Sequence, residues 1–213
     1  ACSTIGMVEL PYKEIPLYSD TLDLNVKNIE ASNTFKHAVL LISGVKTTND
    51  VMRGEETQLI GCLDESSKEG EQLFIFPGTH SKHVTLKQGQ VTDIKTYMTG
   101  EFFELLSTKS ILSNSVKEGQ DFFNPANSKS FEKGVSDNQG LNLLHSSFFV
   151  RTNDLLGRLS TEENYYYLSG LLIGAELKEI ANTKMLITVV GTKRQMEFYG
   201  SALNKLGITA VRY

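Results

Sequence analysis

The sequence has 213 residues but no tryptophan, only two cysteines and only four prolines. The two cysteines, Cys2 and Cys62, cannot build a disulfide scaffold, so we expect a reducing cytoplasmic environment. Long hydrophobic runs are lacking too, since the longest, such as 38–42, have only the length of a strand. No secretory leader is recognisable. These absences predict a cytoplasmic protein that has no membrane partner.

An excess of basic charge is also missing. The chain carries 21 Lys and Arg against 25 Asp and Glu, which gives a net charge of −4. No basic stripe follows any segment, so a nucleic-acid partner is not expected. Hydrophobic residues make up 40% and charged residues 22%, which is typical of a globular protein. The length suffices for one large or two small domains.

Metal-ligand spacing is absent as well. Cys2 and Cys62 could join His80 and His83 in a zinc site, but these residues do not have the spacing of a zinc finger. Two ordinary thiols are the simpler interpretation, and we expect no metal site built from protein side chains.

The sequence does contain a distinctive segment, LFIFPGTHSK, at 73–82. Its apolar start, 73–76, predicts a buried strand that Pro77 and Gly78 end. The turn that follows supplies hydroxyls, a ring nitrogen and an ammonium group, and a tight polar turn of this kind can hold a phosphate. An ordinary hairpin turn between this strand and the next is the alternative.

The flanking segments predict the other elements. These are a strand at 36–43, a helix at 57–63, a charged linker at 64–71, strands at 83–86 and 91–97, a helix at 102–106 with Thr99 as its N-cap, short helices and loops at 110–138, helices at 141–156, 165–180 and 195–205 with a stop at Gly207, and strands at 184–190 and 208–211. The order of these elements is three strands and a helix, then further helices, and a β-α-β unit at the end. This order is typical of an actin-like ATPase lobe.

Several segments together resemble one family, the 2-dehydro-3-deoxygalactonokinases of the acetate and sugar kinase/actin superfamily. The matching text occurs at 3–12, 52–61 (MRGEETQLIG), 77–84 (PGTHSKHV), 98–106 (MTGEFFELL), 167–177 (YLSGLLIGAEL) and 189–192 (VVGT). RGEETQLIG is the most distinctive of these, whereas VVGT alone would be weak. Segments that span nearly the whole chain in the right order are far more specific than any single motif.

The resemblance implies an α/β, actin-like (ribonuclease H-like) sugar-kinase fold with two lobes. Residues 1–63 would be the remnant of the first, sugar-binding lobe, and residues 72–213 the second, nucleotide-binding lobe without its last helix. Family members begin with an Asp-x-Gly-Thr/Ser hairpin that this sequence lacks, so we expect an incomplete first lobe. The family also has Cys and Trp where this chain has Ser81 and His83.

The activity implied by the resemblance is ATP-dependent phosphorylation of 2-dehydro-3-deoxy-D-galactonate at its terminal hydroxyl, with Mg²⁺ as a cofactor. Glu55 is the candidate base for the hydroxyl proton. The alternative is that Glu55 and Glu56 only complement the helix dipole. Arg53 and Glu56 are candidate substrate-binding residues, although Arg53 could be an exposed or Glu-paired side chain. Ser3 and Thr4 could touch the sugar acid.

Phosphate and nucleotide candidates lie in the second half of the matched text. Lys82 is the second catalytic candidate, as a point charge on the transferring phosphate. The nucleotide- or phosphate-binding candidates are Gly78, Thr79, His80, Thr99, Gly100, Gly191 and Thr192. The alternatives are a structural histidine, a helix cap and ordinary turns. The helix at 165–180 has a face of small residues, Ser169, Gly170, Gly174 and Ala175, which predicts close helix packing or, alternatively, an adenine-pocket wall.

Two other functions stay open on the sequence alone. The same fold could phosphorylate a different sugar acid or an N-acetylated sugar. A chain without the first phosphate loop could also be a non-catalytic remnant that binds sugar or a partner. The expected partner is a small-molecule sugar acid, and a homodimer is a further alternative.

Overall fold

A computed structural model describes residues 10–18, 23–64, 68–119, 121–208 and the backbone of 211–212. The chain divides into two compact units. The first comprises Ala1–Phe74 and Lys82–Thr96, and the second comprises Ile75–Ser81 and Tyr97–Tyr213. Strands and helices are both abundant, so the predicted α/β class is confirmed. The assignment of 1–63 and 72–213 to sugar-binding and nucleotide-binding lobes stays a prediction.

The first unit consists mainly of strands. They are β1 (Lys13–Glu14), β2 (Leu17–Tyr18), β3 (Val26–Ile29), β4 (Val39–Ile42), β5 (Val45–Lys46), β6 (Val51–Met52), the first part of β7 (Glu71–Phe76), β8 (Ser81–Lys87) and β9 (Gln90–Tyr97), with one helix, α1 (Glu55–Cys62). β5 pairs in parallel with β1 and antiparallel with β6. β3 and β4 form an antiparallel pair. The order of the largest sheet within this unit is β7-β8-β9-β2.

The second unit is mainly helical. Its elements are α2 (Thr99–Lys109), α3 (Pro125–Gly140), α4 (Leu143–Ser147), α5 (Phe149–Leu155), α6 (Thr161–Leu177), β10 (Leu186–Val189), α7 (Lys193–Lys205) and β11 (Val211–Arg212), with short 3₁₀ turns at Ser113–Ser115 and Lys178–Ile180. β10 and β11 are parallel, with Ile187 opposite Val211. The Val190 N–H donates to the Ile75 carbonyl at 2.9 Å, so the end of β7 belongs to this unit's sheet. No helix in the described part of the chain is long and apolar enough to cross a membrane.

Local sequence signals explain where the main helices begin and end. Ser160 and Glu163 form a capping box at the start of α6, and Thr192 and Gln195 form another at the start of α7. Each box satisfies N–H groups that the first helical turn leaves without an intrahelical partner. Gly207 has a φ of +74° just beyond α7, which confirms its predicted role as a helix stop.

Three helix predictions were wrong. Met98, and not Thr99, is the N-cap of α2, and Thr99 is its first helical residue. The segment 141–156 contains two short helices rather than one, with Phe148 between them. The polar stretch 110–138 contains most of α3, a helix of 16 residues. The apolar pattern was too weak to predict this helix, because most of the residues that α3 buries are polar or glycine.

Helices α3 and α6 pack with their backbones close together. A Cβ atom on Gly134 would lie 2.8 Å from the Leu171 amide nitrogen, and one on Gly174 would lie 2.9 Å from the Val135 Cα. Gly170 meets the Phe131 backbone in the same way. This confirms the packing role of Gly170 and Gly174 that the small residues of α6 predict. The close approach fixes the helix that forms one wall of the site described below.

We expect Gly134→Ala to destabilise the protein by roughly 1–3 kcal/mol, because an added methyl group has no room between two backbones. The matched control is Gly140→Ala in the same helix, where an added Cβ would meet nothing within 4 Å. That change should be neutral or stabilising by up to about 1 kcal/mol. Urea unfolding of the two variants measures the difference, and equal stabilities would contradict this account of the packing.

Candidate active site

The turn after β7 is held against the start of α2. A Cβ on Gly100 would lie 2.5 Å from the Gly78 carbonyl oxygen and 2.8 Å from the Thr79 Cα, so only glycine fits there. The Glu101 N–H donates to the Thr79 carbonyl at 3.0 Å. Nε2 of His80 lies 2.5 Å from Oε2 of Glu101. The predicted phosphate turn is therefore clamped to a helix N-terminus by backbone and side-chain bonds.

A cavity of about 340 Å³ opens beside this turn in the second unit. The residues that line it come from the turn and from three helices: Pro77, Gly78 and Thr79; Thr99, Gly100 and Phe103 of α2; Tyr165, Ser169, Leu172 and Ile173 of α6; Gln195, Phe198 and Tyr199 of α7. Four of the predicted nucleotide-binding residues, Gly78, Thr79, Thr99 and Gly100, thus share one space. Ser169 also lines it, so α6 packs on α3 and forms a cavity wall as well.

Aromatic rings form the apolar side of the cavity. Phe103 and Tyr165 pack edge to face with their centroids 5.0 Å apart. The Arg194 guanidinium lies 5.6 Å from the ring centroids of both Tyr165 and Phe198. It also donates to the Tyr165 hydroxyl at 2.8 Å and to Glu118 at 3.1 Å. These bonds fix the rings, and a rigid aromatic wall suits a flat ligand.

Gly191 and Thr192 do not line the cavity, although they act on it through Gln195. The Thr192 amide and hydroxyl both donate to the Gln195 side-chain oxygen, at 2.8 and 2.9 Å. The side-chain nitrogen of Gln195 donates to the Pro77 carbonyl at 2.9 Å, which ties α7 to the turn. Gly191 leaves room for this side chain, because a Cβ there would lie 2.8 Å from the Gln195 oxygen.

A buried carboxylate that the sequence analysis missed lies behind the cavity. Glu176 of α6 is only 2% exposed. It accepts hydrogen bonds from Ser81 at 2.7 Å, from Tyr199 at 2.7 Å and from Thr99 at 2.5 Å. Burial, and then the Glu176 charge, raise the pKa of the Tyr199 hydroxyl well above its usual range, so Tyr199 stays a donor. A glutamate within the mainly apolar stretch 168–177 of α6 was the available signal, because buried acids are rare.

The first unit holds a separate group of charged residues around the start of α1. Oε2 of Glu55 accepts the Arg53 N–H at 3.0 Å, and Oε1 of Glu55 lies 3.9 Å from the Lys82 ammonium nitrogen. Lys82 is 6% exposed. The Arg53 guanidinium donates to the Tyr12 hydroxyl and lies 5.0 Å from the Tyr12 ring centroid. The two predicted catalytic residues, Glu55 and Lys82, are therefore neighbours.

Glu56 differs from Glu55 in its surroundings. It is 2% exposed and accepts the Gly54 N–H at 2.7 Å. Glu56 therefore interacts with the N-terminus of α1, which was the alternative interpretation of both acids. Burial raises the pKa of the Glu56 carboxyl above its ordinary value, against the lowering effect of the backbone hydrogen bonds. The predicted contact of Glu56 with a substrate stays a prediction, and Ser3 and Thr4 lie outside the described residues.

No group of three or more potential His, Cys, Asp or Glu ligands for a metal occurs in the part of the chain that the structure describes. Mg²⁺ in kinases does not need such a cluster, since substrate phosphates and one or two carboxylates usually hold it. Glu101, next to the turn, is a carboxylate of this kind.

Comparison with known proteins identifies the family. The family model described as 2-keto-3-deoxy-galactonokinase matches residues 1–213. The chain belongs to this family. It is 32% identical to the 2-dehydro-3-deoxygalactonokinase of Escherichia coli (strain K12) over 98% of this chain, and 38% identical to the probable 2-dehydro-3-deoxygalactonokinase of Rhizobium meliloti (strain 1021) over 75% of it. The resemblance found in the sequence is thus confirmed.

A solved structure agrees with these relatives. A crystal structure of a provisionally named 2-dehydro-3-deoxygalactonokinase from Sinorhizobium meliloti is similar, with a TM-score of 0.79 and 31% identity over 94% of this chain. The chain spans 70% of the E. coli protein, 53% of the Rhizobium protein and 66% of the Sinorhizobium chain. The family and the two curated relatives are named as kinases of 2-dehydro-3-deoxygalactonate, and these names do not favour the alternative of a non-catalytic remnant.

The raised pKa of Glu56 predicts a pH-dependent stability. An acid with a raised folded pKa stabilises the fold below its unfolded pKa, near 4.5, and this contribution is lost as the pH rises through the folded pKa. In Glu56→Gln this loss is absent, so the stability of the wild type relative to the variant should fall as the pH rises above 4.5.

Denaturant unfolding across this pH range measures the effect. Glu14→Gln is the control, because the bond from Lys46 lowers the pKa of Glu14 and the sign is reversed. If the difference in unfolding free energy between the wild type and Glu56→Gln does not change with pH, the raised pKa of Glu56 is contradicted.

Proposed function

We propose that the protein transfers the terminal phosphoryl group of ATP to the terminal hydroxyl of 2-dehydro-3-deoxy-D-galactonate. Its family and curated relatives support this substrate. The observation that carries the proposal is the cavity of the second unit, where a glycine-containing turn, hydroxyl groups and aromatic rings share one space. The turn and hydroxyls suit phosphates, and the rings suit a nucleotide base.

Within this proposal the residues of the turn bind the phosphates. Gly78 allows a close approach of the backbone, and Thr79 offers its hydroxyl. His80 holds the turn through Glu101 and need not touch the nucleotide. Gly191 and Thr192 support the nucleotide indirectly, since they position Gln195 and through it the Pro77 carbonyl.

Mg²⁺ is part of the proposal. Bound to the ATP phosphates, it would neutralise the charge that develops during transfer. Glu101 is the carboxylate beside the turn that could hold the ion, directly or through water, in competition with His80. Glu176 is unsuited to the ion because three hydroxyl groups already donate to it.

Glu55 is proposed as the base that accepts the proton of the sugar-acid hydroxyl. Its carboxylate is 25% exposed and therefore reachable, unlike that of Glu56. The Lys82 ammonium, 3.9 Å away, restrains Glu55 and adds positive charge where anionic groups must gather. Arg53 would bind the substrate carboxylate. Its contact with Tyr12 keeps the guanidinium in one orientation.

We place this chemistry on an actin-like, two-lobed sugar-kinase fold, with residues 1–63 in the sugar-binding and 72–213 in the nucleotide-binding lobe. The small-molecule partner is the sugar acid. A cytoplasmic location is in keeping with the two cysteines of the sequence. The homodimer stays a prediction.

The acceptor is tested by measuring ADP release with a panel of sugars and sugar acids. We expect turnover with 2-dehydro-3-deoxygalactonate and little with neutral sugars of the same length, because Arg53 requires a carboxylate partner. Equal turnover with neutral sugars would exclude Arg53 as the group that binds the substrate carboxylate. If none of the sugar acids in the panel is phosphorylated, the proposed reaction is overturned.

Glu55→Gln should lower kcat by about 10²–10⁴-fold, since the amide cannot accept a proton. The KM for ATP should not change, because Glu55 does not line the nucleotide cavity. Glu14→Gln is a matched control, as Glu14 forms an exposed pair with Lys46 at 2.9 Å in the same unit. A Glu55→Gln enzyme that is folded and has the wild-type kcat would exclude Glu55 as the base.

A further inference from the structure

Glu176 has no role in the reaction proposed above, although burying its carboxylate is energetically unfavourable. It is 2% exposed and lies on α6 between buried apolar neighbours such as Ile173 and Leu177. A carboxylate taken out of water is strongly unfavourable unless hydrogen bonds replace the lost hydration. An apolar residue at this position would pack without that cost. The carboxylate must therefore provide something that packing alone does not.

Three hydroxyl groups from three different elements converge on this carboxylate. Ser81, at the start of β8, donates to one oxygen, whereas Thr99 of α2 and Tyr199 of α7 donate to the other. The Ser81 and Tyr199 oxygens are 3.3 Å apart, so the donors also adjoin each other. A single side chain thus links Ser81, α2, α6 and α7 within the second unit.

Each donor is also connected to the cavity. Thr99 and Tyr199 line it, and Ser81 directly follows the phosphate turn in the chain. Gly100, next to Thr99, is the residue against which Gly78 and Thr79 of the turn rest. A shift of Thr99 would therefore move the contact surface that shapes the turn.

We propose that Glu176 is a positioning residue for phosphoryl transfer, which sets the phosphate turn relative to α2 by binding Ser81, Thr99 and Tyr199. The inference rests on the proposed function, since it takes the turn as the phosphate site. Glu176 touches neither substrate nor nucleotide. Its effect falls mainly on the phosphates, because Arg194 holds Tyr165 and Phe198 of the aromatic wall independently of Glu176.

The test is calorimetric titration of the wild type and of Glu176→Gln with two ligands, ATP and adenosine. The Kd for ATP should rise about 10- to 100-fold, as is typical when a residue that orients a binding group is changed. The Kd for adenosine, which has no phosphate, should stay the same. Equal losses for ATP and adenosine, or no loss for either, would overturn the proposal, because a merely structural role does not single out the phosphates.

Further variants keep the test decisive if Glu176→Gln does not fold. Thr99→Val and Tyr199→Phe each remove one hydrogen-bond donor to Glu176. Each should weaken the binding of ATP more than the binding of adenosine. Where Glu176→Gln folds, adding Thr99→Val to it should weaken ATP binding little further, because both changes disturb the same hydrogen-bonded group. The control is Tyr167→Phe, which removes a buried hydroxyl that donates to Asp137 at 2.7 Å on the side of α6 facing α3. It should leave both affinities unchanged.

These measurements use no sugar acid, so they separate the two proposals. A wild-type protein that binds ATP but phosphorylates no sugar acid would overturn the proposed acceptor and leave the role of Glu176 intact. A wild-type protein that binds no ATP would overturn the role of Glu176.

Discussion

Hydrogen bonding to one buried carboxylate organises the second unit of this protein. Glu176 is 2% exposed, and the hydrogen bonds from Ser81, Thr99 and Tyr199 offset the cost of burying its charge. The three donors come from the start of a strand and from two helices, and two of them line the cavity. We propose that the turn and the N-terminus of α2 take their exact relative position from this arrangement, in addition to the direct contacts between them.

Close backbone packing adds a second constraint. Glycines let α3 approach α6, and Gly100 lets the start of α2 approach the turn after β7. Contacts between backbones cannot adjust as flexible side chains can, because the nearest atoms belong to rigid peptide groups. Helix α6 shows what this achieves. Its glycines fix it to α3, Ser169 and Leu172 face the cavity, and Glu176 reaches the hydrogen-bonded network.

Local signals allowed much of the fold and part of the site to be predicted from the sequence. Pro77 and Gly78 after an apolar run correctly predicted the turn, and the matched segments correctly predicted the family. Helix α3 was missed because its buried face has only two apolar side chains among polar residues and a glycine, which leaves little apolar periodicity. Gln195 and Tyr199 were missed because their roles arise from contacts with residues more than 20 positions away in the chain. The two neighbouring acids could be told apart only by burial, which the sequence does not contain.

The first unit also contains carboxylates that accept hydrogen bonds, and these differ in burial. Glu55 and Glu56 both accept backbone N–H groups in front of α1, yet Glu56 is buried whereas the Glu55 side chain is 25% exposed. The most direct test of the whole account is a crystal structure of the protein with a non-hydrolysable ATP analogue. We expect the base against Phe103, Tyr165 and Phe198, and the terminal phosphate within hydrogen-bonding distance of Gly78 and Thr79. Phosphates bound away from this turn would contradict the account.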